Sequence, residues 1–351
     1  MKIARLTVHP YRLPLREPLR LVSAVVQARE GVLVRAEAES GAIGWGDAAP
    51  LPGFSRESLD DVRRELARCA TDAGAWTAVR GGPFLDAFAS LLSGCSSSTR
   101  FAVESALASA AAAEAGVSLG CFLLGREADR CAVNALLASE PEAWAERARA
   151  LAASGFSVIK LKVGRFPMAL ELACFRAAVE AAPDVRWRLD ANRAWSALIA
   201  RGFAQEVEGL PIDYVEEPVR AGVAQPEEWP DAVAVAWDET LQEHEPPPVA
   251  PGPVKVWVLK PTLAGGLARA IRLAGEASRR GLAIVFSSAY ESGVGVRVLA
   301  ELAAATGGVA GLDTYRVLAE DVLTPGLVVS AGAMDVRAAR SARVEFKEMT
   351  A

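Results

Sequence analysis

The strongest constraint on this chain is a spacing. From residue 130 onward it repeats a short apolar, β-rich run, typically closed by a polar residue, that is followed by a helical stretch. The runs cover residues 132–137, 157–162, 185–190, 212–216, 233–238, 256–260, 283–287 and 309–313. Between closing residues the intervals are 28 (162 to 190), 26 (to 216), 22 (to 238), 22 (to 260) and 27 (to 287). That is the length of one strand, one helix and their connections. Eight such units between residues 132 and 313 fit a (β/α) barrel better than an open doubly wound sheet.

The chain ahead of the repeat reads differently. Residues 3–10 and 31–39 alternate like strands, 41–46 are turn-rich and 55–72 have helical spacing, so residues 1–98 are predicted to form an α+β capping domain. A polar break at 95–98 precedes an Ala-rich helix, with Ser98 as its N-cap and Gly116 as its stop. Residues 99–129 are read as a linking helix, 130–318 as the catalytic barrel, and 319–351 as a segment returning to the capping domain.

Composition narrows the partner. Hydrophobic residues make up 52% of the 351, yet no apolar run is long enough to span a bilayer, so no membrane partner is expected. Lys and Arg total 38 against 43 Asp and Glu, a net charge of -5, which argues against nucleic acid held by phosphate neutralisation. The five cysteines include no C-x-x-C pair and there are only two histidines, His9 and His244, so thiolate zinc and imidazole chemistry are not expected. The first residues lack a secretory pattern, and a cytoplasmic location is expected. A small-molecule partner remains, with monomer and homo-oligomer both open.

Barrel active sites lie at the C-terminal ends of the strands, so the residues closing each run carry the information. Lys160 and Lys162 close the second; Arg188, Asp190 and Asn192 the third; Glu216 and Glu217 the fourth; Asp238 and Glu239 the fifth; Lys260 the sixth; Ser287 and Ser288 the seventh. Alternation puts Lys160 and Lys162 on one face and Ile159, Leu161 and Val163 on the other. Alone, such a K-x-K reads as a solvated edge strand. Within the barrel period the lysines point inward, where an ammonium needs partners. Asp190, Glu216 and Asp238 would supply them from adjacent staves, and three such carboxylates need a cation between them; all-oxygen ligation suits Mg²⁺, with Mn²⁺ as a substitute. Lys260 falls across the barrel from the second strand. Two lysines flanking a metal-held carboxylate suit proton abstraction α to it, and crowded cations are expected to depress a lysine pKa.

These motifs resemble the enolase superfamily and, within it, the o-succinylbenzoate synthase family. The resemblance rests on Gly44-Trp45-Gly46-Asp47, Pro50-Leu51-Pro52-Gly53-Phe54-Ser55, Lys160-Leu161-Lys162, Arg188-Leu189-Asp190-Ala191-Asn192-Arg193-Ala194-Trp195, Val215-Glu216-Glu217-Pro218, Trp237-Asp238-Glu239, Leu259-Lys260-Pro261-Thr262 and Ser287-Ser288-Ala289-Tyr290-Glu291-Ser292. It implies an enolase-type (β/α)7β barrel and a Mg²⁺-dependent lyase of menaquinone biosynthesis that dehydrates 2-succinyl-6-hydroxy-2,4-cyclohexadiene-1-carboxylate. It implies Asp190, Glu216 and Asp238 as metal ligands, a choice between Glu216 and Glu217 that alternation alone leaves open. It further implies Lys162 as the base, Lys160 as its tuning and carboxylate-binding neighbour, and Lys260 as the stabiliser of an enediolate. Ser23, Gly53 and Phe54 from the capping domain, with Arg188, Asn192, Ser287 and Ser288, would contact the substrate.

Four other readings compete. An N-acylamino acid racemase would use the same lysines and metal. A dipeptide epimerase would place Asp-x-Asp on the eighth strand, where this chain has Asp313-Thr314-Tyr315. A Schiff-base aldolase needs one nucleophilic lysine and no metal. A non-catalytic binding barrel has no need of three lysines facing three carboxylates.

Overall fold

The computed structural model describes residues 1–21, 25–71, 76, 84–226, 228–245, 247 and 252–345. Three strands, β1 (Ile3–Arg20), β2 (Val25–Ala38) and β3 (Ile43–Ala48), form an antiparallel sheet in the order β1-β2-β3. The 41–46 stretch, expected to be a turn, therefore contributes most of a strand. Its glycines serve close packing, since a Cβ at Gly44 or Gly46 would lie about 2 Å from the carbonyl oxygens of Ala106 and Ala102.

Those carbonyls belong to α2 (Ser97–Ala115), which follows α1 (Leu59–Thr71). Ser96 is the α2 N-cap residue, two residues earlier than the expected Ser98, whose N–H and hydroxyl both go to the Glu57 carboxylate. The stop is at Gly116, left-handed with φ 68°. Small side chains let α2 serve two cores. Ala102, Val103, Ala106 and Ala110 pack with Val32, Val34, Val62 and Leu66 of the capping domain, while Phe101 and Ala108 join the barrel's outer core.

After α3 (Leu119–Leu124) and β4 (Arg130–Ala132), seven strands form one parallel sheet. They are β5 (Ala135–Leu137), β6 (Val158–Lys162), β7 (Arg186–Asp190), β8 (Ile212–Glu216), β9 (Val235–Trp237), β10 (Val254–Leu259) and β11 (Ala283–Phe286). An eighth stave closes it: Gly311 bridges Ser287 and Ala310 bridges Val133, both parallel. The outer helices are α4 (Trp144–Ala153), α5 (Met168–Ala181), α6 (Ala197–Val207), the five-residue α7 (Glu239–Glu243), α8 (Leu267–Arg279) and α9 (Gly293–Thr306). This is the expected capped (β/α)7β barrel. Two details depart from the regular repeat. The first run splits, so that β4 leaves the barrel to pair with β14 (Ala333–Asp335), and no helix forms among the described residues between β8 and β9, a stretch interrupted by Pro218, Pro226 and Pro230.

Alternation places side chains as the strand period requires. Ile159, Leu161, Trp187, Leu189, Val215 and Trp257 face the helices, whereas Tyr214, Ala236, Val256, Val258 and Val285 fill the barrel interior. The last part of the chain adds β12 (Leu323–Thr324), β13 (Val329–Ser330), α10 (Val336–Ser341) and β15 (Arg343–Val344). It touches β1 where Ala319 N–H donates to the Pro14 carbonyl, and packs otherwise on β4 and α9. Among the described residues no helix is long and apolar enough to cross a membrane.

Candidate active site

At the C-terminal ends of the strands the inward-facing residues meet. Lys160 and Arg188 share one register level, and Lys162, Asp190 and Glu216 the next level up. Lys160 Nζ lies 2.7 and 2.8 Å from the two Glu216 oxygens and 2.8 Å from Asp190 Oδ2. Lys162 Nζ donates to Asp190 Oδ2 at 2.7 Å and to Asn192 Oδ1 at 2.5 Å. Lys260, from β10, is hydrogen-bonded to Asp238. In the strand order, β6 and β10 are four staves apart in a barrel of eight, so Lys162 and Lys260 stand on opposite walls.

Glu216 and Glu217 are separated by their partners. Glu216 turns inward to Lys160, whereas Glu217, at φ 41°, accepts from Asp238 N–H, Thr240 N–H, Thr240 Oγ1 and Arg193. The outer glutamate is spent on holding the next strand. Asn192, Arg193 and Tyr290 are also left-handed, at 42°, 61° and 63°, so non-glycine backbone strain gathers at the mouth.

The electrostatics follow from charge placement. Burial alone would raise the Asp190 carboxyl, but Lys160, Lys162 and Lys260 hold it well below its usual range. Glu216 is pushed up by burial and by the Asp190 charge, and Glu239 to about 8 by burial and Asp238. The expected depression of the lysines does not occur at Lys160 and Lys260. Burial works in that direction, but Asp190 and Glu216 around Lys160, and Asp238 beside Lys260, outweigh it and raise both.

Asp190, Glu216 and Asp238 are each at most 1% exposed, and the Glu239 Oε2 beside them is buried with no hydrogen-bond partner among the described residues. Such a donor set fits a hard divalent cation. Among the described residues no three such side chains stand ready-clustered as ligands; the carboxylates are instead ion-paired, Asp190 with Lys160 and Lys162, Glu216 with Lys160 and Asp238 with Lys260.

The cavity at this point measures about 70 Å³ and is lined by Lys160, Lys162, Lys260, Ser287, Ser288 and Tyr290, among others. Ser287 and Ser288 both donate to the Gly311 carbonyl at 3.1 Å. Gly53 and Phe54 line a separate polar cavity that shares no lining residue with this one; its wall includes Glu239 and Gln242, the latter bonded to Asp238. Arg188 stands below the pocket and does not line it. Its guanidinium is drawn to Asn134 Oδ1 at 3.0 Å, the Val309 carbonyl at 2.8 Å and the Tyr214 ring. Ser23 lies outside the described residues. Asn134, Leu136, Tyr290, Asp313 and Thr314 line the pocket without having been assigned to it; Tyr290, Asp313 and Thr314 at least fall in the motifs that close the seventh and eighth runs, whereas Asn134 and Leu136 gave no signal.

A second buried polar cluster fastens the capping domain to this mouth. Asp47 accepts from Ser292 N–H and Oγ, each at 2.8 Å, and from Tyr11 OH at 2.9 Å. Arg29 donates to the carbonyls of Tyr290, Ala49 and Pro50. The G-W-G-D and S-S-x-x-E-S motifs thus meet in space.

Comparison with known proteins agrees with this geometry. Residues 143–340 match the family described as Enolase C-terminal domain-like, and residues 3–96 match MenC, N-terminal domain. The o-succinylbenzoate synthases of Yersinia pseudotuberculosis serotype I (strain IP32953) and Yersinia pestis (strain Pestoides F) are each 33% identical over 325 residues, covering 91% of this chain and 93% of theirs. Among solved structures, the L-Ala-D/L-Glu epimerase of Bacillus subtilis superposes with a TM-score of 0.79 at 26% identity, over 95% of this chain and 96% of its own. A putative mandelate racemase/muconate lactonizing enzyme from Sorangium cellulosum gives 0.78 at 27%, with the same coverage. The chain is an enzyme of the enolase superfamily and belongs to the family of the o-succinylbenzoate synthases, which are lyases.

Proposed function

We propose that this chain dehydrates 2-succinyl-6-hydroxy-2,4-cyclohexadiene-1-carboxylate to o-succinylbenzoate. The observation that carries the reading is the pairing of Lys162 and Lys260 on opposite walls above three buried carboxylates. Asp190, Glu216 and Asp238 would hold a divalent cation, Mg²⁺ or Mn²⁺, which supplies positive charge where the substrate carboxylate gathers electrons. Lys162, as the free amine, takes the proton from the carbon α to that carboxylate, and the C–H electrons pass into an enediolate. As they return, the ring C–O bond breaks, Lys162 gives its proton to the departing hydroxyl, and water leaves. Both transfers use one lysine on one face, so the elimination is syn. Lys160, one level below Lys162, binds the carboxylate and tunes its neighbour. Lys260 stays protonated and stabilises the enediolate from the other face. Asn192, bonded to Lys162, fixes the direction of its amine.

The test is loss of the diene's ultraviolet absorbance with Mg²⁺ and again with excess chelator. Turnover that survives chelation would sink the metal assignment, and near-normal turnover by Lys162→Ala would sink the base.

Racemisation of an N-acylamino acid is the second reading, favoured by Lys260 facing Lys162 and by the epimerases among the similar structures. Exchange of the α-hydrogen with deuterium on both faces, lost separately in Lys162→Ala and Lys260→Ala, would establish it. A dipeptide epimerase is disfavoured. Asp313 is already committed to Leu136 N–H at 2.8 Å and to Arg316 at 3.1 Å, which leaves little charge for a substrate ammonium.

A further inference from the structure

A cleft of about 460 Å³ opens where β3, the end of α2, α9 and the 342–344 segment come together. It shares no lining residue with the catalytic pocket. Its walls are largely apolar, with Ile43, Trp45, Val117, Leu119 and Val344 among them, and Ile43 and Val117 are 42% and 40% exposed at its rim. Its charged residues are three arginines and one glutamate: Arg297, Arg340, Arg343 and Glu301.

Two of these four are already satisfied. Glu301 Oε2 accepts from Leu119 N–H and from Arg340 Nε, and Arg340 further binds Glu127, Asp129 and the Ala128 carbonyl. Arg297 is different. It is half-buried on α9, and its one hydrogen bond among the described residues goes to the Ala342 carbonyl at 3.1 Å. No carboxylate of the described residues lies within ion-pair distance of it, and burial works against its charge despite the more distant Glu301 and Asp321. A guanidinium carries five N–H donors and stays charged, so a half-buried one with a single hydrogen bond among the described residues keeps donors open toward the cleft for a carboxylate. A volume in the range of small-ligand pockets, apolar walls and one under-used guanidinium together define the chemistry of the occupant.

We propose that this cleft binds a small organic anion: a carboxylate on an apolar, ring-sized body, its charge on Arg297 and its body against Trp45 and Val117. The same α9 begins at Gly293, directly after the Ser292 that Asp47 grips, so the site lies on the element that joins cap to barrel.

The test titrates 2-naphthoate into the Mg²⁺-loaded protein by calorimetry, with 2-naphthamide as the uncharged counterpart. Saturable binding of the acid, at least about tenfold tighter than the amide, is expected, with a loss of about tenfold or more in Arg297→Gln. Should Arg297→Gln fail to fold, Val117→Glu places a repelling charge on the exposed rim and is expected to weaken the acid similarly while leaving kcat/KM for the diene unchanged. No saturable binding at millimolar acid would overturn the proposal. So would binding that both variants leave intact, or binding displaced in simple competition by the diene substrate, which would put the acid at the catalytic lysines.

Discussion

The barrel mouth and the cap junction are both buried, polar and adjacent, and they are built on opposite rules. At the junction every group is matched: Asp47 has three donors, and Arg29 has three carbonyls. At the mouth three lysines and three carboxylates are crowded into ion pairs, left-handed residues collect, and Glu239 Oε2 has no partner among the described residues. A network of neutral and backbone partners fixes geometry, whereas crowded ion pairs leave charge that a cation and a substrate can draw on.

That contrast can be broken in graded steps. Lys162→Ala should lower turnover by about 10³ to 10⁴ while the melting temperature stays near that of the parent, because a base is lost and no packing is. Steady-state rates and calorimetric scans read the two effects apart. Asp238→Asn should weaken the divalent cation and raise the Mg²⁺ concentration needed for half-maximal rate by about tenfold or more; a metal titration measures it. Asp47→Ala should do the reverse of Lys162→Ala. It strands Tyr11 OH and the Ser292 N–H, so about 3 kcal/mol of stability should go in urea unfolding, with the Mg²⁺ requirement unchanged.

The smallest effect concerns Glu104, buried on α2, whose carboxylate accepts from Ala268 N–H and whose pKa burial pushes up to about 7. A carboxyl raised on folding makes the native state hold a proton that the unfolded chain has released. Stability therefore falls as pH rises through the window from the ordinary glutamate range to about 7, and is constant above it. Glu104→Gln should abolish that fall, on the order of 2 kcal/mol between pH 4.5 and 8. Equal pH slopes in the two proteins would remove the assignment.

The sequence carried the barrel because strands and helices write their periods locally. Which lysines face inward could be read from alternation, and Lys160, Lys162 and Lys260 stand where it put them. What failed to show is set by distance in space. Glu217 was separated from Glu216 only by its bonds to Thr240 and Arg193. Arg188 lies on the correct face, yet Asn134 and the Val309 carbonyl, remote in sequence, pull it beneath the pocket. Gly44 and Gly46 read as a turn because the reason for them is the backbone of α2. Arg29 and Tyr11 gave no local hint of the junction they build.

The eighth stave has a consequence for how the barrel breathes. Every joint between neighbouring strands from β5 to β11 is made by two to five residue pairs, but the stave at 310–311 meets each neighbour through a single bridge. Local opening starts where the fewest backbone bonds must be broken together. The Ala310 and Gly311 amides should therefore exchange with deuterated solvent ahead of Leu161 and Leu189. Because the Gly311 carbonyl holds both Ser287 and Ser288, that seam gives the catalytic pocket a side that can loosen while the β6–β7 wall bearing Lys160 and Lys162 stays shut.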